Sequence, residues 1–293
     1  MKARSSSEAY LFILPILLFV TAFILYPLIY NVVTSFYDWN GLDVQKTWIG
    51  LKNYQDMLRD RVFYLILRNY VVYFFVTVFV QMALGLFFAF VIKTISLKSV
   101  SNVFKTIIFV PVVITPVVIG NVFSSTFFET NYGLINQALR ALGLQALTRT
   151  WLADPTLALF SCAAVNIWQW TGFSMLLYFA GLTGIPSDVI EAAVIDGASK
   201  SRTFFSIVIP MLRSTHFSLL ILGAIGVLKT FDIIYVLTKG GPNYATEFFS
   251  TYIFTTSFEQ YKQGYASAYS VVLMVVALAI TIYQLSLYSK RKV

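Results

Sequence analysis

The chain has 293 residues, 58% of them hydrophobic and 12% charged, with mean hydropathy +0.76 and net charge +8. A soluble domain carries about 25% charge, so a chain this apolar takes lipid as its solvent. No loop interleaves a basic run with aromatics, so the positive charge belongs to membrane-flanking segments and not to nucleic-acid recognition.

A hydrocarbon core is crossed by about 20 apolar residues at roughly 1.5 Å rise each. That length predicts six spans, near 10–36, 69–92, 106–128, 157–183, 216–238 and 268–288. The reading is an all-α membrane protein with six transmembrane helices, residues 1–293 being a single transmembrane domain. The first span follows Lys2 and Arg4, as a signal peptide would. It runs uncharged from Ala9 to Phe36, beyond the roughly 7–15 apolar residues of a signal core, with no Ala-x-Ala site after it, and is read as a retained helix. Pro27, Gly85, Pro111, Pro116, Gly172, Gly223 and Gly226 fall inside spans, where neighbouring helices can re-satisfy freed backbone groups and approach closely.

The fourth span contains Asn166, Trp168, Gln169 and Trp170. Aromatic faces and amide groups together suit a sugar ring and its hydroxyls; a tryptophan near a helix end also serves as an interfacial anchor. Cys162, the only cysteine, reads as a small buried hydrophobe and excludes an intrachain disulfide. The fifth span holds Lys229 and Asp232, three apart and so expected on one helix face. Ionisable groups in a span face a bundle interior or water, although Asp232 lies near enough to the span's end to snorkel. His216, the only histidine, stands at a span boundary with no partner for metal binding in sequence.

Between the fourth and fifth spans lies a polar stretch, 191–210. Ser187 or Asp188 is expected to cap a short helix from about 188 to 195, carrying Glu191, Ala192 and Ala193. Asp196-Gly197 is a turn signal. Ser199 or Ser201 then caps a second short helix with Phe204, Phe205, Ile207 and Val208, and Pro210 interrupts the backbone ladder. From the residues alone this is either an ordinary amphipathic connector or a compact knob for a partner, with Phe204 and Phe205 as its aromatic anchor.

Charge sets the expected orientation. With both termini inside, the inner segments carry Lys2, Arg4, Lys93, Lys98, Lys105, Lys200, Arg202, Arg213, Lys290, Arg291 and Lys292, an excess over the longer outer loops. The 191–210 loop then faces the cytoplasm.

Glu191-Ala192-Ala193, Gly197, Ile207 and Pro210 stand at the spacing of the EAA loop, and the chain resembles the carbohydrate-type ABC importer permeases, similar to the maltose- and glycerol-phosphate-type subunits. Gly50-Leu51-Lys52-Asn53-Tyr54, Tyr132-Gly133-Leu134-Ile135-Asn136, Trp151-Leu152-Ala153-Asp154-Pro155 and Thr238-Lys239-Gly240-Gly241-Pro242 with Thr246 carry the likeness along most of the length. The resemblance implies a type I importer permease fold, N-in and C-in, in a bacterial-type inner membrane. It implies ATPase docking through Glu191, Ala192, Ala193, Asp196, Gly197, Phe204, Ile207 and Pro210, and a sugar path through Asn166, Trp168, Gln169, Trp170, Lys229 and Asp232. The implied partners are a second permease subunit forming a heterodimer, two ABC ATPase subunits that hold the ATP, and an extracytoplasmic solute-binding protein. The chain itself is expected to bind no cofactor and to be no enzyme, since no G-x4-G-K-[ST] loop and no nucleophile elbow occur. The alternatives are an ion-coupled carrier built on Lys229 and Asp232, and a permease for a polyol phosphate or other non-sugar solute.

Overall fold

A computed structural model of the chain describes residues 6–289. In chain order the helices are α1 (Ser6–Val20), α2 (Tyr26–Thr34), α3 (Lys52–Arg59), α4 (Arg61–Thr94), α5 (Lys98–Val113), α6 (Pro116–Val122), α7 (Leu134–Ala141), α8 (Ala158–Thr183), α9 (Ser187–Ile195), α10 (Lys200–Thr203), α11 (Ile209–Met211), α12 (Arg213–Leu228), α13 (Asp232–Thr238), α14 (Phe249–Phe254) and α15 (Gln263–Ser289). A two-residue antiparallel pair, β1 (Tyr37–Asp38) with β2 (Thr47–Trp48), is the only sheet among the described residues. Lys2, Arg4, Lys290, Arg291 and Lys292, which weigh in the charge argument, lie outside the described residues.

Among the described residues three helices are long and apolar enough to cross a bilayer, Phe12–Thr34, Arg61–Thr94 and Gln263–Gln284; with each of three bent pairs taken as one span the number is six. Two predicted spans are broken. The third, expected as one run over 106–128, is Lys98–Val113 and Pro116–Phe127 meeting at 94°. Thr115 precedes Pro116 and is held extended (φ −63°, ψ 138°), because the proline ring clashes with a helical predecessor. The fifth, expected over 216–238, ends its first helix at Leu228 and restarts at Asp232. Thr230 leaves the ladder, and the Ser250 hydroxyl donates to its carbonyl at 2.5 Å, supplying what the helix no longer does. Lys229 and Asp232 therefore stand on either side of a break and share no helix face, contrary to the expectation from their spacing. Wide π turns at Thr21–Leu25 and Phe204–Val208 run up to Pro27 and Pro210, whose missing N–H groups cannot complete an α ladder.

The chain divides into two compact units at Phe63 and Tyr252. In the unit of the terminal segments, α15 packs on α2, α3 and β1. Asn53 donates to the carbonyls of Ser35 (2.8 Å) and Tyr37 (3.0 Å), and Tyr54 bonds Ser35 through their hydroxyls at 2.6 Å. Gly264 presses so closely on the Tyr37 carbonyl that no side chain fits. Asp60 accepts from the hydroxyls of Tyr252 and Tyr265 at 3.2 and 3.3 Å. Within the span 12–34 only Thr34 is buried; its apolar side chains face outward.

The unit Tyr64–Thr251 is built around α8, whose buried face carries Cys162, Val165, Gln169, Met175, Tyr178 and Leu182. Glycines set its contacts. A Cβ at Gly85 of α4 would lie 2.7 Å from the Ser174 side chain, and one at Gly172 would strike the Ile108 carbonyl of α5. The close approach of small-residue faces is the usual way for helices to associate in lipid, where apolar burial gives little drive.

A cavity at a helix break and an exposed loop

Both features lie within Tyr64–Thr251. The first is a cavity of about 400 Å³ lined by α4, α8, α12 and the break before α13. Its polar groups are Thr77, Gln81, Asn166, Gln169, Ser174, Lys229, Thr230 and Asp232, and its aromatic walls include Trp170, Phe173 and Phe231. Gln81 of α4 donates to Asn166 Oδ1 at 2.8 Å, fixing that amide on α8. Gln169 is 1% exposed. Its Nε2 donates to the Ile114 carbonyl at 3.0 Å, at the bend of the third span, and its Oε1 has no partner. A buried amide oxygen left unmet costs about 1–3 kcal/mol.

Of the expected path residues, Asn166, Gln169, Trp170, Lys229 and Asp232 line this cavity, and Trp168 does not. The Trp168 indole stacks obliquely on Phe123 at 5.3 Å between centroids. Adjacent helix positions point about 100° apart; Gln169 and Trp170 turn to the cavity, and Trp168 is left on the Phe123 side of α8. Thr77 and Gln81 escaped the sequence reading; their signal was a polar pair at i, i+4 in an otherwise apolar span.

The second feature is the loop. α9 leaves α8 at 69° after Pro186, and that proline, not Ser187 or Asp188, occupies the cap position, with no side-chain cap bond. The helix ends as expected. Gly197 is at φ +77°, its N–H meets the Val194 carbonyl at 3.0 Å, and the Ala198 N–H meets the Ala193 carbonyl at 2.9 Å. This is the paired-bond Schellman ending, which needs a left-handed residue after the cap. Ser199 caps the second helix, accepting from the Arg202 N–H at 3.3 Å.

The expected docking residues divide by side. Glu191, Ala192, Asp196, Gly197 and Pro210 are exposed; Ile207 is half-buried and Ala193 is buried. Phe204 turns inward onto Phe90, 5.1 Å between ring centroids, and Phe205 turns outward, 67% exposed. Val194 and Ile195, which the motif did not single out, are exposed by 64% and 84%. The outward apolar surface is therefore Val194, Ile195 and Phe205.

The remaining motifs are folded turns. Asn136 donates to the carbonyls of Thr130 (3.0 Å) and Arg149 (2.9 Å) and accepts from Trp151 Nε1 (2.9 Å), joining two of the sequence segments. Hydrogen bonds from Thr156, side chain first, hold the exposed Asp154 carboxyl below its usual range. Thr246 bonds Thr238 and the Gly241 carbonyl, each at 2.7 Å, and Asn69 of α4 donates to the carbonyls of Tyr244 (3.1 Å) and Glu247 (3.0 Å). Gly240, at φ +84°, sits against the Glu247 carboxylate where a side chain would collide.

Residues 81–293 match the family described as the binding-protein-dependent transport system inner membrane component, and the chain belongs to that family. It is 36% identical over 283 residues to the probable ABC transporter permease protein YurN of Bacillus subtilis, covering 97% of this chain and 96% of that one. It is 36% identical over 285 residues to the trehalose/maltose transport system permease protein MalF of Thermococcus litoralis, covering 96% and 94%. The lactose transport system permease protein LacF of Rhizobium radiobacter is 31% identical over 288 residues, covering 94% and 95%. A crystal structure of a bacterial ABC transporter involved in import of the acidic polysaccharide alginate shares the fold, with TM-score 0.81 at 22% identity over 97% of this chain and 95% of that one.

Proposed function

We propose that this chain is one permease subunit of an ATP-driven importer of a sugar or oligosaccharide. The observation that carries the reading is the cavity at the helix break, which brings the amides of Asn166, Gln81 and Gln169 and the Thr77 hydroxyl together with the Trp170 indole. Sugar hydroxyls pair with amides and hydroxyls while the apolar ring faces lie on aromatic walls, which this set supplies. Relatives named for trehalose, maltose and lactose transport support the class. The ion-coupled alternative rested on Lys229 and Asp232 as a helix-face pair, an arrangement the break removes.

In this reading both termini are cytoplasmic, as the charge bias favours, and the protein sits in the inner membrane. Val194, Ile195 and Phe205, with Glu191, Ala192, Asp196, Gly197 and Pro210 around them, meet an ABC ATPase subunit that carries the ATP. A second, different permease subunit completes the path, and an extracytoplasmic binding protein delivers the sugar. ATP shifts the pair between inward-open and outward-open states by binding one of them better.

Uptake in proteoliposomes holding the whole transporter tests the site. Gln169→Leu should raise the uptake KM about tenfold, the value of one unmet buried polar group. Trp168→Ala, outside the cavity, should leave it within about twofold. An unchanged KM in Gln169→Leu would remove the cavity from the path.

A further inference from the structure

His216 lies in the first turn of α12, directly after the loop. Its Nε2 is 3.2 Å from the Ile209 carbonyl of α11, and its Nδ1 is 2.7 Å from the Tyr178 hydroxyl of α8. A carbonyl only accepts, so Nε2 carries the proton; in the neutral ring Nδ1 then accepts, and Tyr178 donates. One imidazole thus ties together the helix that enters the loop, the last turn of the loop and the helix that leaves it.

The surroundings make these ties consequential. The chain bends by 59° between Met211 and Arg213, with Pro210 just before. That bend is where the loop would flex against the bundle. Tyr178 is 1% exposed and packs among Val208, Leu212 and Leu219, so its hydroxyl is a fixed point. Nearby, Lys93 of α4 donates to the Leu182 carbonyl at 2.6 Å, and Gly181 lies where a Cβ would be 2.7 Å from Thr215 Oγ1. The loop's entrance is held by this polar bond and by close packing; its exit bend is held by the buried Leu212 and by the His216 side chain, whose two bonds join α11 and α12 to α8.

We propose that His216 is a positioning residue that fixes the exit bend, so that a force on the loop moves α8 and α12 as one body. The proposal rests on the reading of the loop as the ATPase-docking element. Without the clip, closure of the ATPases is absorbed as flexing at Pro210–Leu212. ATP hydrolysis then continues while the cavity-lining helices follow incompletely.

The test uses the complete transporter in proteoliposomes, measuring substrate moved per ATP hydrolysed. His216→Phe keeps the ring volume and loses both bonds. It should leave ATPase copurification intact and lower the transport-to-hydrolysis ratio by at least about fivefold, the lower range of a coupling between sites. Tyr178→Phe, which removes one hydroxyl from an otherwise unchanged core, should lower the ratio less, and the double variant should fall no further than His216→Phe. His216→Gln, which keeps an N–H for the Ile209 carbonyl, should recover part of the ratio. A wild-type ratio in His216→Phe, or a double variant that falls below His216→Phe by the full loss seen in Tyr178→Phe, would overturn the proposal; if His216→Phe does not assemble, a wild-type ratio in Tyr178→Phe overturns it. Disulfide crosslinking of the ATPase to Ala192→Cys in the unmutated background reports separately on the docking reading: its failure removes the loop as the docking element, whereas the ratio reports on the clip.

Discussion

At the scale of single residues, two glycines of similar setting in sequence have opposite constraints. Gly172 stands against the Ile108 carbonyl and the Phe109 Cα, whereas a Cβ on Gly226 would meet nothing within 4 Å. Gly172→Ala should destabilise the folded chain by about 1–3 kcal/mol, as overpacking does. Gly226→Ala should be neutral or slightly stabilising. Thermal unfolding in detergent compares them, and an equal melting temperature for the two variants would contradict the packing described. Gly197 is limited by backbone and not by space, since it lies at φ +77° with open surroundings. Gly197→Asn should therefore retain most docking, because Asn tolerates the left-handed region, while Gly197→Val should cost at least about 1–2 kcal/mol of local order. ATPase copurification reads the difference. This glycine was legible in the sequence as the second half of Asp-Gly. The crowding at Gly172 was not, because it depends on which helix lies opposite.

Among elements, the loop shows how far a motif reaches. Its two short helices, the turn between them and the Ser199 cap follow from local chemistry. The direction in which each side chain points does not, since neighbouring aromatics at 204 and 205 look equivalent in sequence. Packing against Phe90 takes Phe204 inward and leaves Phe205 out. Phe205→Asp should reduce ATPase copurification severely with the melting temperature nearly unchanged, whereas Phe204→Ala should lower the melting temperature through lost packing worth about 1–2 kcal/mol, less than for a fully buried ring. Reversal of these two effects would mean that Phe204 is the contact residue. The broken spans teach the same lesson at lower resolution. Pro116 announced a bend in the third span, but nothing at 229–231 is a strong helix breaker, and there Ser250 stabilises the released Thr230 carbonyl from outside the local sequence.

For the whole molecule, the decisive contacts join residues far apart in the chain. Asn69 satisfies two carbonyls of the turn after α13. Asn69→Leu removes the amide donor shared by the two carbonyls, while the Tyr244 carbonyl keeps the Glu247 N–H at 3.2 Å, and should destabilise the unit by about 1–2 kcal/mol. Circular dichroism melts of the purified chain would show it; an unchanged melt would mean that other donors replace the amide. Composition alone determined that this chain lives in lipid, because no packed soluble core accommodates so little charge. Span length determined the helical class, and charge bias with the spacing of the loop residues marked the loop proposed for docking, as these depend on local periodicity and solvent. Only the tertiary structure decided that the fifth span breaks, that Gln169 keeps one oxygen unmet in a cavity while Trp168 faces elsewhere, and that His216 closes the exit of the loop. Each of these turns on a partner in another helix, and helix-to-helix placement is set by side-chain fit and by where freed backbone groups find their bonds.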